Sequence, residues 1–101
     1  MNYYNLQHKN EKVSFEEASI KGQGTDKGLF FPETIPQFSK KFLNELPDLP
    51  DAEIAFRCMK DFVDAEIPEA ILRTICAETI SFDIPLRKIS ENISALELFH
   101  G

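Results

Sequence analysis

Six prolines set the longest regular element that this 101-residue chain can hold. Proline lacks a backbone N–H and its ring clashes with the preceding turn, so neither a helix interior nor a central strand runs through one. Pro32 and Pro36 bracket a connector, and Pro47 and Pro50 break the chain again. Among the stretches bounded by proline on both sides, only those from Pro50 to Pro68 and from Pro68 to Pro85 leave room for helices of ordinary length. Three of the four glycines, Gly22, Gly24 and Gly28, fall together and predict a tight turn using positive φ values.

Within those limits the apolar spacing predicts helices. Ser14-Phe15-Glu16-Glu17 is a capping box, so a helix covers 15–21 with Phe15 and Ala18 inward, and Gly22 ends it. Ser39 caps a short helix over 40–46 with Phe42, Leu43 and Leu46 inward. Asp51 caps a longer one over 52–64. Its stripe is Ala55, Cys58, Met59, Phe62 and Val63, with Phe62 at the centre. Pro68 suits the first position of the next, over 68–80, whose stripe is Ile71, Leu72, Ile75, Cys76, Thr79 and Ile80. The short link between the last two predicts an antiparallel pair.

The rest is extended or turn. Tyr3 to Leu6 and Val13 to Phe15 predict a hairpin joined through His8 to Lys12. Two strands are marginal alone, so a further element must extend or cover them. Leu29 to Phe31 is a short buried extended segment stopped by Pro32. Lys88 to Ser94 is a polar, mobile connection to a last strand, Ala95 to Phe99, in which Leu96 and Leu98 face one way and Phe99 the other. The fold class is therefore α+β, four short helices with a few short strands.

Charge and composition exclude several functions. A net charge of -6 leaves no basic patch to neutralise phosphates, which argues against a nucleic-acid partner. No apolar run approaches the roughly 18 residues that cross a membrane. Met1 to Leu6 lacks the blocks of a signal peptide, so a soluble cytoplasmic chain is expected. Cys58 and Cys76 sit in apolar helical patterns as reduced thiols, far in sequence from His8 and His100, so neither a zinc set nor a Cys–His pair is expected. The glycine turn lacks a Gly-Lys-Ser/Thr ending and a following helix, which a phosphate loop requires. No catalytic, cofactor-binding or metal-ligating residue emerges from the motifs.

Val13-Ser14-Phe15-Glu16-Glu17-Ala18, then Gly22, Gly24 and Gly28-Leu29-Phe30-Phe31-Pro32, resembles the amino-terminal region of threonine synthase. Leu96-Glu97-Leu98-Phe99-His100-Gly101 is similar to the strand that precedes the cofactor lysine in that family, and Tyr3-Tyr4-Asn5 and Glu66-Ile67-Pro68 fit the same pattern. The resemblance spans almost the whole chain. It implies a pyridoxal-phosphate enzyme of the tryptophan-synthase-β class that converts O-phospho-L-homoserine and water to L-threonine and phosphate. It also implies that the cofactor lysine lies in a Pro-Thr-x-Ala-Phe-Lys-Asp run beyond Gly101, since none of the lysines from Lys9 to Lys88 matches it. On that basis residues 1–101 are expected to be an amino-terminal domain, truncated before the lysine and ending in the strand that leads into the catalytic domain. It is expected to be inactive alone and to bind no cofactor, with Phe99, His100 and Gly101 near the site of the full enzyme.

The alternative is a stand-alone acidic module that binds another protein through Phe30, Phe31 and Phe99. A strand with unpaired edges also predicts self-association through residues 94–101, by edge pairing or by swinging out on the 88–94 connection.

Overall fold

The computed structural model describes residues 1–99. Strand β1 (Tyr3–Asn5) lies in the middle of a small antiparallel sheet, between β2 (Lys12–Val13) and β3 (Phe30–Pro32). Its alternation sets the faces: Tyr3 and Asn5 are buried and Tyr4 half-buried. Tyr4 meets Phe31 edge-on across the strand pair, ring centroids 6.2 Å apart. β3 is the third strand that the hairpin needed. β2 stops at Val13, short of the expected Phe15, because Ser14 leaves the strand to cap the following helix.

Helix α1 (Phe15–Lys21) carries the expected capping box. The Glu17 amide donates to Ser14 Oγ at 3.1 Å and the Ser14 amide to the Glu17 carboxylate at 3.3 Å. Gly22, at φ 68°, closes it. Phe15 packs on Tyr3 at 5.9 Å and joins the helix to the sheet. Helix α2 (Lys40–Glu45), capped by Ser39, runs into a 3-10 turn over Leu46–Asp48. It buries Phe42 alone, and Leu43 is exposed rather than inward, since so short a helix has one neighbour and one contact line.

Helices α3 (Asp51–Val63) and α4 (Glu69–Thr79) form the expected antiparallel pair. Asp51 and Ile54 share one hollow with Ile80, and Asp64 shares another with Pro68 and Glu69. Pro50 and Pro68 take the capping positions, so each helix begins one residue away from its expected start. The core is Phe56, Val63, Leu72 and Cys76, with Phe15, Ala55 and Ile67 against it. Phe56 thus holds the place expected for Phe62, which is only half-buried. Met59, Ile71 and Ile75 are exposed. Spacing marks a broad apolar stripe, whereas two helices touch along a narrower line, so the margins of each stripe stay open.

The turn between these helices holds the two halves of the body together. Asp64 has φ 57°, in the left-handed region, and starts a 3-10 turn over Asp64–Glu66. The amino-terminal ammonium pairs with the Asp64 carboxylate at 2.9 Å, and Tyr3 Oη donates to the Phe62 carbonyl at 2.8 Å. Glu66 accepts from the Phe15 and Glu16 amides, both at 3.0 Å, and so caps α1 from a distant element. Those amides hold the Glu66 carboxyl below the usual range, and burial, then the Glu66 charge, push the Tyr3 phenol up.

The expected polar connection over 88–94 is instead a hairpin, β4 (Leu86–Ser90) and β5 (Ile93–Leu96). The final strand therefore ends at Leu96 and not at Phe99. The polar run from Lys88 to Ser94 reads as a connection, but Leu86 pairs with Leu96 and Arg87 with Ala95, and a bulge at Lys88–Ser90 leads into the turn. Among the described residues β5 thus has one neighbour, and residues 88–94 form paired strands and their turn rather than a free linker on which β5 could swing out.

Candidate functional site

The hairpin stands apart from the rest. Every residue of β4 is exposed, and on β5 only Ala95 is half-buried. Arg87 pairs with Glu97 across the strands at 3.3 Å, which ties the hairpin to itself. The chain measures 47 × 31 × 27 Å with a radius of gyration of 16.7 Å, against about 13 Å for a compact domain of this length. Leu86, Ile89, Ile93, Leu96 and Leu98 are all exposed, so this arm carries apolar area that no other described residue covers. Of the three residues expected near the site of a full enzyme, Phe99 is 83% exposed at the end of the arm. His100 and Gly101 lie outside the described residues.

The glycine turn is a cradle for a side chain. Asn5 is fully buried. Its Nδ2 donates to the Thr25 carbonyl at 3.0 Å and to the Glu11 carboxylate at 2.5 Å, and its Oδ1 accepts from the Gln7 amide at 2.8 Å. Glu11 also accepts from the Thr25 amide at 3.0 Å. The Asn5 amide, then that backbone bond, hold the Glu11 carboxyl below its ordinary range. A Cβ on Gly28 would overlap Asn5 Oδ1, and one on Gly24 would come within 2.6 Å of Asn5 Nδ2. These two glycines are therefore required for space. Their φ values, -90° and -66°, suit any residue, and the positive φ values fall on Gly22, Asp26 and Lys27. The loop folds around an amide of its own chain, in the place a phosphate would need.

A third feature is a groove of about 550 Å³ between α2, α3 and α4. Arg57 bridges Glu45 at 3.2 Å and Glu53 at 2.7 Å, and Arg73 bridges Glu53 at 2.5 Å and Glu69 at 2.9 Å. Arg73 also lies over the Phe56 ring at 3.7 Å. Both arginines lower the Glu53 carboxyl, Arg57 first. The guanidinium groups are matched by acids of the same chain, so the groove is a clamp joining three helices. Two of its pairs, Glu53–Arg57 and Glu69–Arg73, have the i,i+4 spacing, a signal that the sequence reading above did not use. Asn5, Glu66 and Phe56 gave no such signal, because their partners are distant or unremarkable in type.

None of this is reaction chemistry. Among the described residues no group of three His, Cys, Asp or Glu could hold a metal, and Cys58 and Cys76 are free thiols. All eight lysines are exposed, so none has the desolvated amine that a pyridoxal-phosphate site requires, and the residues present do not fit that cofactor. Phe30 lines a hollow with Tyr3 and Phe15 whereas Phe31 turns the other way onto Tyr4, so with Phe99 on the arm the three phenylalanines do not make one binding surface. No helix among the described residues is long and apolar enough to cross a membrane.

These features define a small α+β scaffold with an arm that the other described residues leave uncovered. Known proteins identify it further. The family model described as the threonine synthase N terminus matches residues 2–80, the body without the hairpin. A threonine synthase from Haemophilus influenzae is 46% identical over 101 residues, all of this chain and 23% of that protein, and one from Escherichia coli is 36% identical over the same span. The crystal structure of threonine synthase from Escherichia coli superposes with a TM-score of 0.91 over 100% of this chain and 24% of that one. That of PLP-bound threonine synthase from Brucella melitensis gives 0.89 at 29% identity, over 100% of this chain and 23% of that one. The chain belongs to the threonine synthase family and spans about a quarter of the length of the relatives it matches. The reading as a stand-alone binding module has no support.

Proposed function

We propose that this chain is the amino-terminal part of a threonine synthase, which converts O-phospho-L-homoserine and water to L-threonine and phosphate in the cytoplasm. In this reading residues 1–101 form an amino-terminal domain attached to a pyridoxal-phosphate catalytic domain of the tryptophan-synthase-β class. Pyridoxal phosphate, when bound there, supplies an electron sink for carbanion chemistry. No step of that chemistry falls to this chain, whose lysines are all in solvent. Its contribution is a rigid body, held by the Glu66 cap and the arginine clamp, that presents the hairpin to the catalytic domain and aims Phe99, His100 and Gly101 towards the site.

The observation that carries this reading is the superposition of the whole chain, uncovered hairpin included, on about a quarter of the Escherichia coli enzyme. An arm exposed along its full length is what a domain-bridging segment looks like without the domain it bridges to. The test is phosphate release from O-phospho-L-homoserine with added pyridoxal phosphate. The 101-residue chain should be silent. Joined to the remaining three quarters of the Haemophilus influenzae relative, it should turn over substrate at a rate within about tenfold of that parent. Turnover by the chain alone, or a well-folded chimera without activity, would overturn the proposal.

A further inference from the structure

The two margins of the hairpin are not alike. The Glu97 amide donates to the Pro85 carbonyl at 3.0 Å and Ala95 lies opposite Arg87, so Glu97 and Ala95 turn their backbone groups towards β4. Ser94 and Leu96 then direct theirs to the other side, where no described residue pairs with them. On β4 the outward groups are those of Leu86 and Lys88. That margin carries Arg87 and Lys88 in succession, whereas Ile93-Ser94-Ala95-Leu96 carries no charge. Cations, lysine above all, blunt the margin of a sheet, and β5 has none.

The side chains of the hairpin point the same way. Leu96 shares one face with Leu86, its cross-strand partner, and Ile93 shares the opposite face with Ala95. Leu86, Leu96 and Ile93 are all exposed, so both faces carry apolar area. Strands apolar on both faces belong inside a sheet that is covered on both sides, and an antiparallel strand at the margin is a common finish to such a sheet.

We infer that β4 is the outermost strand of a sheet in the complete enzyme, and that β5 pairs on its open side with a strand of the polypeptide that follows Gly101. This deepens the reading proposed above and rests on it: the relatives carry about three quarters of their length outside the match, and the matching family model describes an amino terminus. The added strand takes the N–H and C=O groups of Ser94 and Leu96 whether it runs parallel or antiparallel, since both groups of an outward residue serve the same neighbour. It supplies the third strand that an isolated hairpin lacks. A strand on the same polypeptide reaches an effective concentration of about a millimolar over a short linker, so it displaces a second copy of the chain present at micromolar concentration.

The test is amide hydrogen exchange on the 101-residue chain and on the same chain joined to the remaining three quarters of the Haemophilus influenzae relative. In the joined protein Ser94 and Leu96 should exchange at least about tenfold more slowly than in the 101-residue chain, while Leu86 and Lys88 change little. As a second readout, Ser94→Pro should lower the melting temperature of the joined protein more than Lys88→Pro does. Each removes one outward donor, and only that of Ser94 has a partner to lose. An active joined protein in which Ser94 and Leu96 exchange as fast as in the 101-residue chain, or in which Leu86 and Lys88 gain the protection instead, would overturn the inference and leave the family reading standing. Protection of Ser94 and Leu96 in the 101-residue chain that grows with its concentration would give the edge to a second copy and overturn it as well. A folded, inactive joined protein with both amides protected would support the pairing and count against the family reading alone.

Discussion

Leu72 and Leu96 are the same residue type with opposite fates: on α4 the first is 4% exposed, and on β5 the second is 56% exposed. The body, from β1 to α4, wraps a core around Val63 and satisfies its one buried side-chain amide, that of Asn5, completely. The hairpin makes its own ladder and one ion pair and buries almost nothing. Side-chain type therefore does not decide what a residue contributes here. What decides is whether a second element lies opposite it, and among the described residues β4 and β5 have only each other.

That contrast is sharpest in the helix pair. Phe56→Ala should cost about 3–5 kcal/mol of unfolding free energy in urea, and Leu72→Ala about 2–5. Phe62→Ala should cost clearly less than Phe56→Ala, since its side chain is half-exposed and the bond it shares with Tyr3 uses its backbone carbonyl. Equal losses at Phe56 and Phe62 would move the centre of the core.

The glycine cradle comes next. Gly28→Ala should destabilise by about 1–3 kcal/mol, because the new methyl group meets Asn5 Oδ1. Combined with Asn5→Ala, which vacates that space, the losses should be less than additive. Strict additivity would mean that Gly28 is needed for its backbone and not for the room it leaves.

The Glu66 cap gives a dependence on pH. Its carboxyl titrates below its unfolded value, so it stabilises the folded state fully above roughly pH 4.3 and loses that contribution as the pH falls through the folded pKa. Glu66→Gln should lower the melting temperature at neutral pH and flatten its decline between about pH 5 and pH 3. An unchanged acid slope would show that the seam is held by Tyr3 and Asp64 without it.

The smallest effect belongs to the hairpin. Leu96→Ala should change the stability of the body by no more than about 0.5 kcal/mol, measured at protein concentrations where the chain is monomeric. A loss comparable to Leu72→Ala would place β5 against the body and erase the comparison.

Much of the fold was legible. The capping box at Ser14 and Glu17, the Ser39 cap and the pairing of α3 with α4 follow from local spacing, and each helix lies within a residue or two of its expected bounds. The hairpin over 86–96 was not, because Arg87, Lys88, Glu91 and Asn92 give it the composition of a loop. Its register rests on backbone pairing, to which composition is a poor guide.

For the site the division is similar. Motif order in the amino-acid chain, from Val13-Ser14-Phe15 through Gly28 to Leu96-Glu97-Leu98, was by itself enough to determine the family, since such matches depend only on which residues follow which. Helix starts and breaks were determined at the same level, because capping and proline geometry act within one turn of the chain. Only the tertiary structure decided that Asn5 fills the glycine loop, that Glu66 caps a helix fifty residues earlier in the chain, and that Phe56 and not Phe62 lies in the core. Each of those outcomes depends on a partner brought close by packing, and sequence spacing is silent about which of many chemically equivalent side chains packing will choose.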